Sequence, residues 1–465
     1  MKLSLKISTL SLMMVLTGCM VGPDYHRPKE TLPLAFKEAK GWQQAQPQDA
    51  EQKGAWWQVY QDPVLNQLLS QVAISNQNIA MYAAQYRQAL ALTDQATANF
   101  YPTVDADIQS ARNGTHSNGQ RSTSNSHSAK LTASWELDLW GKLRRQAAEE
   151  RASAESSQAD LANATLSAQS QLAQNYFQLR IMDQRIALYQ KSIAAYQGYL
   201  RVVNNKYQAG NENRAAVAQA QMQLQGTRST LLGLTWQRAQ LEHAIALLIG
   251  KTPAEFSLPA APLTAKLPTI PVMVPSLLLQ RRPDIAVAER SMAAANEAVG
   301  VAIAGYFPDL TLSASGGTSA SALHNLFSLP SRVWSLGPEL SGTVLDFGAT
   351  RASVAQARAA YDAKVANYRQ TVLTAMQDVE DSLVELNTLG DEIAAQQASA
   401  QAAMVSAQVT RNQYDAGMID YLDVATTENS SLSEQQSLLQ LQSQQWVNSV
   451  ALIAALGGGW HAPNQ

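Results

Sequence analysis

The chain is 465 residues long, enough for two or three ordinary domains or one large elongated one. It carries 34 basic residues against 37 acidic ones, for a net charge of −3, and only 15% of it is charged. Without a basic stripe, that balance argues against a nucleic-acid partner.

Residues 1–18 read as a signal peptide. Lys2 and Lys6 flank the start of a mostly apolar run, Ile7 to Leu16, that is too short to span a bilayer. The run ends in Leu16-Thr17-Gly18-Cys19, which resembles a lipobox; that resemblance implies cleavage before Cys19 and lipidation of its sulfur. Cys19 is the only cysteine, so it has no disulfide partner. Position 20 is Met rather than Asp, which by the usual sorting rule for bacterial lipoproteins implies delivery to the outer membrane. No other stretch holds roughly 20 consecutive apolar residues, so a membrane crossing would have to be a closed β-barrel.

Residues 19–62 form a lipid-anchored lead segment and part of a collar. A first repeat, 63–250, opens with a helix over Val64–Asn99. Two alternating segments follow. Val104, Ala106 and Ile108 alternate with Thr103, Asp105, Asp107 and Gln109. Ala129, Leu131, Ala133, Trp135, Leu137 and Leu139 alternate with Lys130, Thr132, Ser134, Glu136 and Asp138. Strands of about ten residues with one apolar face fit a lipid-facing barrel wall. The Gly/Ser/Asn-rich stretch between them, with His116 and His127, reads as an extracellular loop.

From Lys142 to Tyr207 there is no proline, and Gly198 is the only glycine. Leu172, Leu179, Ile186, Ile193 and Leu200 fall seven apart, the signature of side-by-side helix packing. About 66 residues make a rod of roughly 100 Å, far longer than the ~30 Å hydrocarbon core. Such helices must project into an aqueous compartment, the periplasm for an outer-membrane lipoprotein. Gly210 closes the rod, and a return helix runs to Gly250. Residues 251–274 hold Pro253, Pro259, Pro262, Pro268 and Pro271, a density that no helix interior tolerates, so this is an irregular equatorial linker.

A second repeat, 275–457, has the same order. It comprises a helix over Pro275–Gly305, strands around Leu310–Ala314 and Trp334–Val344 with an irregularity expected at Pro338, a rod, a tip at Gly417 and a return helix. Val365, Val372, Val379, Leu386 and Ile393 again fall seven apart. A tail, 458–465, ends the chain. Gly141, Arg144, Tyr207, Gly210 and Gly250 match Gly348, Arg351, Tyr414, Gly417 and Gly457, each pair 207 positions apart, which marks an internal duplication. Four strands cannot close a barrel when the smallest transmembrane barrels have about eight. A dimer would give eight strands and a filled interior; a trimer would give twelve and room for a pore.

Several motifs occur in combination: Gly22-Pro23-Asp24-Tyr25 with Arg27-Pro28; Trp56-Trp57 with Tyr60 and Asp62-Pro63; Arg281-Arg282-Pro283-Asp284-Ile285; Phe307-Pro308; Leu345-Asp346-Phe347-Gly348; and Leu456-Gly457-Gly458-Gly459-Trp460. With them the chain resembles the TolC-like outer-membrane efflux proteins of the lipoprotein branch over essentially its whole mature length. The resemblance implies an α+β membrane protein. It would be a homotrimeric duct with a shared twelve-stranded transmembrane β-barrel, four strands per chain, a long periplasmic coiled-coil α-barrel and a mixed equatorial collar. It also implies docking to a periplasmic membrane-fusion adaptor and an inner-membrane pump of the RND or MFS type, for export of drugs or other toxic small molecules. A protein-secretion duct and a coiled-coil lipoprotein without a through-path are the alternatives.

The sequence shows no catalytic or cofactor motif. His26, His116, His127, His243, His324 and His461 are scattered, and the reading is a non-enzyme without cofactor or metal. Function in a duct is geometry and charge. The helix-turn tips at Gly210 and Gly417 are the candidates for adaptor docking and for a periplasmic gate formed by Asp420, Asp415, Tyr414 and Arg411, with Glu212 and Arg214 at the first tip. An inward aspartate repeated by three-fold symmetry becomes a carboxylate ring that attracts cations. The competing role for Asp420 is to cap the returning helix.

Overall fold

The computed structural model describes residues 20–28, 33, 35–39, 54–117, 119–268 and 281–458. The signal segment, Cys19, Pro271, Pro275, Gly459, Trp460 and His461 lie outside the described residues. In chain order the elements are α1 (Pro63–Ser75), α2 (Gln77–Ala98), β1 (Thr103–Ser117), β2 (Gln120–Leu137), α3 (Lys142–Gln208) and α4 (Arg214–Leu248). Then come α5 (Pro283–Ala304), β3 (Asp309–Ala320), β4 (Arg332–Ser341), α6 (Ala349–Asp415) and α7 (Tyr421–Ala455). The repeats match element for element. α3 and α6 are each 67 residues long, α4 and α7 each 35, and α2 and α5 each 22.

The chain forms two compact units. The first contains Ala84–Gln158 and Val287–Gln370 with the lead segment, and it holds all four strands. They make one antiparallel sheet in the order β1-β2-β3-β4. Its register aligns the apolar sets across all strands: Ala106 opposite Leu131, Leu131 opposite Gly316, and Gly316 opposite Trp334. The alternate rows place Asp105, Thr132, Ser315 and Ser335 together on the other face. The apolar face is not covered: Val104, Ile108, Leu131, Trp334, Leu336 and Leu340 are all exposed in the single chain. An ordinary soluble sheet would bury such a face.

Three strand expectations change. The stretch carrying His116 and His127 is not a loop, because β1 and β2 run through it to a tight turn. His116 pairs opposite Arg121, and His127 Nδ1 lies 2.8 Å from Ser110 Oγ. The physical reason is that Ser117 pairs with Gln120, leaving only two residues between the strands, and Gly119 there takes the left-handed φ of +75° that such short hairpin loops need. The ladder keeps its register through Pro338, opposite Leu312, on an edge strand where a missing donor is tolerated. β2 ends at Leu137 rather than Leu139, and β4 ends at Ser341, so Val344 lies beyond it at 99% exposure. β3 begins at Asp309, opposite Ser341, and offers no partner to residues 342–344.

The strand-to-rod motif is a helix cap. Asp138 accepts bonds from the backbone N–H groups of Leu143 and Arg144, and Asp346 from those of Gly348 and Thr350. The lead segment is strapped here. The Arg145 guanidinium, 1% exposed, donates to Val21 O and Gly22 O and pairs with Asp24 and Glu297. Gly22 passes so close to Gly300 that a Cβ on it would lie 2.6 Å from the Gly300 Cα.

The second unit contains Thr31–Ala83, Ala159–Ala286 and Thr371–Gln465. Its largest core gathers the Trp-Trp motif with the rod: Trp56, Trp57, Tyr60 and Leu65 pack with Leu172, Tyr176, Phe177 and Leu179. Asp62 caps α1 through Val64 N and Leu65 N and accepts from the Tyr176 hydroxyl at 2.8 Å. The heptad residues Leu172, Leu179, Val372, Val379 and Leu386 are buried, as the spacing predicts. Residues 251–268 carry one short helical turn, Pro253–Glu255, and are buckled to the rod and its return. Asp183 bridges Arg180 and Arg238, and those arginines donate to Pro259 O and Leu258 O.

The single helix expected over Val64–Asn99 is two helices, broken at Asn76. Asn76 caps α2 through Asn78 N and Ile79 N, while its amide donates to Leu248 O at the end of α4. The second repeat copies this joint. Arg282, at the start of α5, donates to Ala455 O at the end of α7 and pairs with Asp284 and Asp378. Gly250 and Gly457 close the two return helices against Ser75 O and Arg281 O, at 2.1 and 2.7 Å from a would-be Cβ.

Candidate functional site

The two hairpin tips have one backbone plan. The rod ends in a left-handed glycine, Gly210 at φ +77° or Gly417 at φ +72°. The closing bonds correspond: Gly210 N to Tyr207 O and Asn211 N to Lys206 O, then Gly417 N to Tyr414 O and Met418 N to Gln413 O. Asn213 and Asp420 occupy the same place, the N-cap of the return helix. Their side chains behave differently. Asn213 Oδ1 accepts from Ala216 N at 2.8 Å, whereas the Asp420 carboxylate makes no capping bond and is exposed. Asp415 is also exposed, at the C-terminal end of α6, where a negative charge opposes the helix dipole. Arg214 opens α4 and faces solvent.

Tyr414 and Arg411 are engaged by other helices of the same chain. Tyr414 is 1% exposed, in a core with Val203, Ala220, Tyr421 and Val424. Its ring meets Tyr421 edge-on at 6.0 Å, and Lys206 Nζ sits 3.7 Å from its centroid. Burial, with Glu212 and Asp415 nearby, pushes the Tyr414 phenol up to about 12; burial does the same to Tyr421. Arg411 pairs with Glu428 of α7 and lies over the Tyr199 ring of α3 at 5.5 Å. The Tyr199 hydroxyl donates to the same Glu428 carboxylate at 2.8 Å. Arg411, Glu428 and Tyr199 thus join α6, α7 and α3 into one latched pair of hairpins. Sequence reading missed Tyr199 and Lys206 because their partners, Glu428 and Tyr414, lie in the other repeat, and Glu428 because Arg411 and Tyr199 reach it from two other helices and share no local motif with it. Among the described residues no group of three or more His, Cys, Asp or Glu could hold a metal ion, and no helix is long and apolar enough to cross a membrane.

The duplicated rods, the tips and the uncovered four-stranded sheet are features of one protein family. The profile of the outer membrane efflux protein family matches residues 68–251 and again 274–458. The chain belongs to the outer membrane efflux protein family. The cation efflux system protein CusC of Escherichia coli is 28% identical over 458 residues, 98% of this chain and 99% of the relative. The solvent efflux pump outer membrane protein SrpC of Pseudomonas putida is 29% identical, covering 96% and 97%. Among solved structures, the outer-membrane channel OprN superposes with a TM-score of 0.88 at 30% identity, over 95% of this chain and 100% of that one. The open state of the Neisseria gonorrhoeae MtrE channel gives 0.85 at 26% identity, over 96% and 100%. The chain is therefore the outer-membrane channel component of an efflux system, resident in the outer membrane. Its four strands are one chain's share of a common barrel, and its long helices form the periplasmic duct.

Proposed function

We propose that three copies assemble the duct, anchored by lipid on Cys19. It receives small molecules from an inner-membrane pump of the RND or MFS type through a membrane-fusion adaptor that docks on the Gly210 and Gly417 tips. The gate reading rests on one observation: Asp420 stands at a helix N-cap yet leaves its carboxylate in solvent, while its counterpart Asn213 is bound to Ala216 N. Three such carboxylates around a narrow aqueous passage attract cations and oppose closure. Arg411 and Tyr414 serve this gate from behind, by holding each chain's hairpins together. The strap from Met20 to Arg27, clamped by Arg145, supports the anchor reading because it holds Met20, the residue after Cys19 in the sequence, at the strand-to-rod junction.

Single-channel recording tests the gate. Asp420→Asn keeps the shape and removes one charge per chain, so cation preference and divalent block should both weaken. The difference from wild type should shrink in high salt, as the Debye length falls from ~10 Å at 0.1 M to ~3 Å at 1 M. Unchanged selectivity and block would remove Asp420 from the gate. Fatty-acid labelling of Cys19→Ala tests the anchor: the label should disappear, and normal labelling would exclude Cys19.

A further inference from the structure

The chain contains its own template for the seam between copies. Two hairpins, β1–β2 and β3–β4, have matching registers: Thr103 lies opposite Ser134, and Asp309 opposite Ser341. Thr103 thus corresponds to Asp309, 206 positions on, and Ser134 to Ser341, 207 positions on. Between the hairpins lies a repeat-to-repeat seam, β2 against β3, with Ala133 opposite Ala314 and Leu137 opposite Leu310. β4 and β1 are the two open edges. Shifting the β2–β3 register by those two offsets lays β4 against the β1 of another copy, with Leu340 opposite Ile108 and Val344 opposite Val104. Apolar residues then stay on one face, and Ser341 meets Asp107 on the other.

Two features of the single chain lack an explanation without this seam. Residues 135–137 are strand only through β3, since β1 begins opposite Ser134. Their counterparts 342–344 keep the alternating sequence but have no strand partner among the described residues, and Val344 is 99% exposed. The second feature is aromatic. Trp140 stacks on Phe307 at 4.7 Å and donates its indole N–H to Pro308 O at 2.9 Å. The corresponding residues, Phe347 at one edge and Tyr101-Pro102 at the other, are left open: Phe347 is 93% and Tyr101 68% exposed.

We propose that residues 332–344 of one copy pair antiparallel with β1 of the next, Leu340 opposite Ile108, and that Phe347 stacks on the Tyr101 of that next copy. Residues 342–344 become strand only on assembly. The inference rests on the trimeric reading above and adds the register and the aromatic lock.

Disulfide trapping in the full-length membrane protein tests it. The double variant Leu340→Cys/Ile108→Cys joins opposite edges of one sheet, so a bond between these positions forms only between copies. Leu340→Cys with Ala106→Cys, and with Ser110→Cys, shift the register by two on the same face. Directly opposed Cα atoms lie ~4.5–5.5 Å apart, within disulfide reach, and diagonal ones ~7–8 Å apart, so the first pair should cross-link roughly tenfold more. Phe347→Cys/Tyr101→Cys should also trap. Dominance by a shifted pair overturns the register and leaves the trimer standing. A sized trimer that gives no cross-link from any pair overturns the seam. A wild-type protein that is monomeric by light scattering overturns the trimeric reading itself, and with it this seam.

Discussion

The two hairpin tips share a backbone and differ in what their side chains do. At the first, Asn211, Glu212, Asn213 and Arg214 give a polar turn whose cap is bonded. At the second, Met418, Ile419, Asp420 and Tyr421 replace them, Tyr421 is buried, and the cap side chain is released to solvent. The same contrast holds one or two turns further up. Arg411 and Glu428, which latch the hairpins together, have Asn204 and Gln221 as their first-repeat counterparts. The two repeats thus share a symmetric backbone frame, and different side chains are set on it at the two tips. The lesson is that a repeat unit constrains the main chain far more tightly than it constrains chemistry.

The comparison breaks most visibly at the latch. Glu428→Ala should leave Arg411 and the Tyr199 hydroxyl without their shared acceptor, a loss of about 1–2 kcal/mol for charge-assisted bonds at a partly exposed site. Gln221→Ala, at the matching place in the first repeat, should be close to neutral. Hydrogen exchange at the ends of α6 and α7 would rise in the first variant only; equal protection in both would show that the latch carries no weight.

A smaller effect is expected at the caps. Asn213→Ala removes a bonded cap and should cost about 1 kcal/mol, whereas Asp420→Ala should cost a few tenths at most. Local unfolding of α4 and α7, followed by limited proteolysis at the tips, would separate the two. Similar losses at both sites would mean that Asp420 caps its helix after all.

Smallest near neutral pH, where it vanishes, is the effect of titrating the buried tyrosines. Tyr414 and Tyr421 are held neutral by burial up to about 12, against an ordinary value of 10.0. The folded tip therefore binds more protons than the unfolded one between pH 10 and 12. Its stability is intact below pH 10 and falls as pH rises through that window. Absorbance titration of Tyr414→Phe should lose one high-pH phenolate step relative to wild type.

Much of the frame was legible in sequence because it is written in periods: seven-residue spacing in the rods, two-residue spacing in the strands, and 207 between repeats. Glycine at 210 and 417 located both turns because only a left-handed residue closes a helix so tightly. What escaped was whatever depends on a distant partner. Asn76 breaks a helix in order to cap one helix and bond the end of another. Residues 342–344 alternate correctly and still are not strand, since strand needs a neighbour. Within the candidate gate the structure separates two groups that the sequence reading puts together. Asp415 and Asp420 are exposed, whereas Tyr414 is buried and Arg411 is committed to Glu428.

The joints at Gly250 and Gly457 carry a mechanical consequence. α3 and α6 are each one unbroken helix of 67 residues, so a twist applied at a tip is resisted by a continuous ladder of backbone hydrogen bonds. α4 and α7 instead end against the start of a separate helix, and among the described residues no backbone ladder crosses either joint. The grip is a glycine's close contact, side-chain bonds from Ser75 and Asn76 or from Arg281 and Arg282, and apolar packing such as Val72 with Ile245 and Ile249. Each hairpin therefore pairs a stiff shaft with one that has a bearing in it. Side-chain bonds can be exchanged there at less cost than helical turns can be unwound, so these joints are where a twist is expected to be taken up.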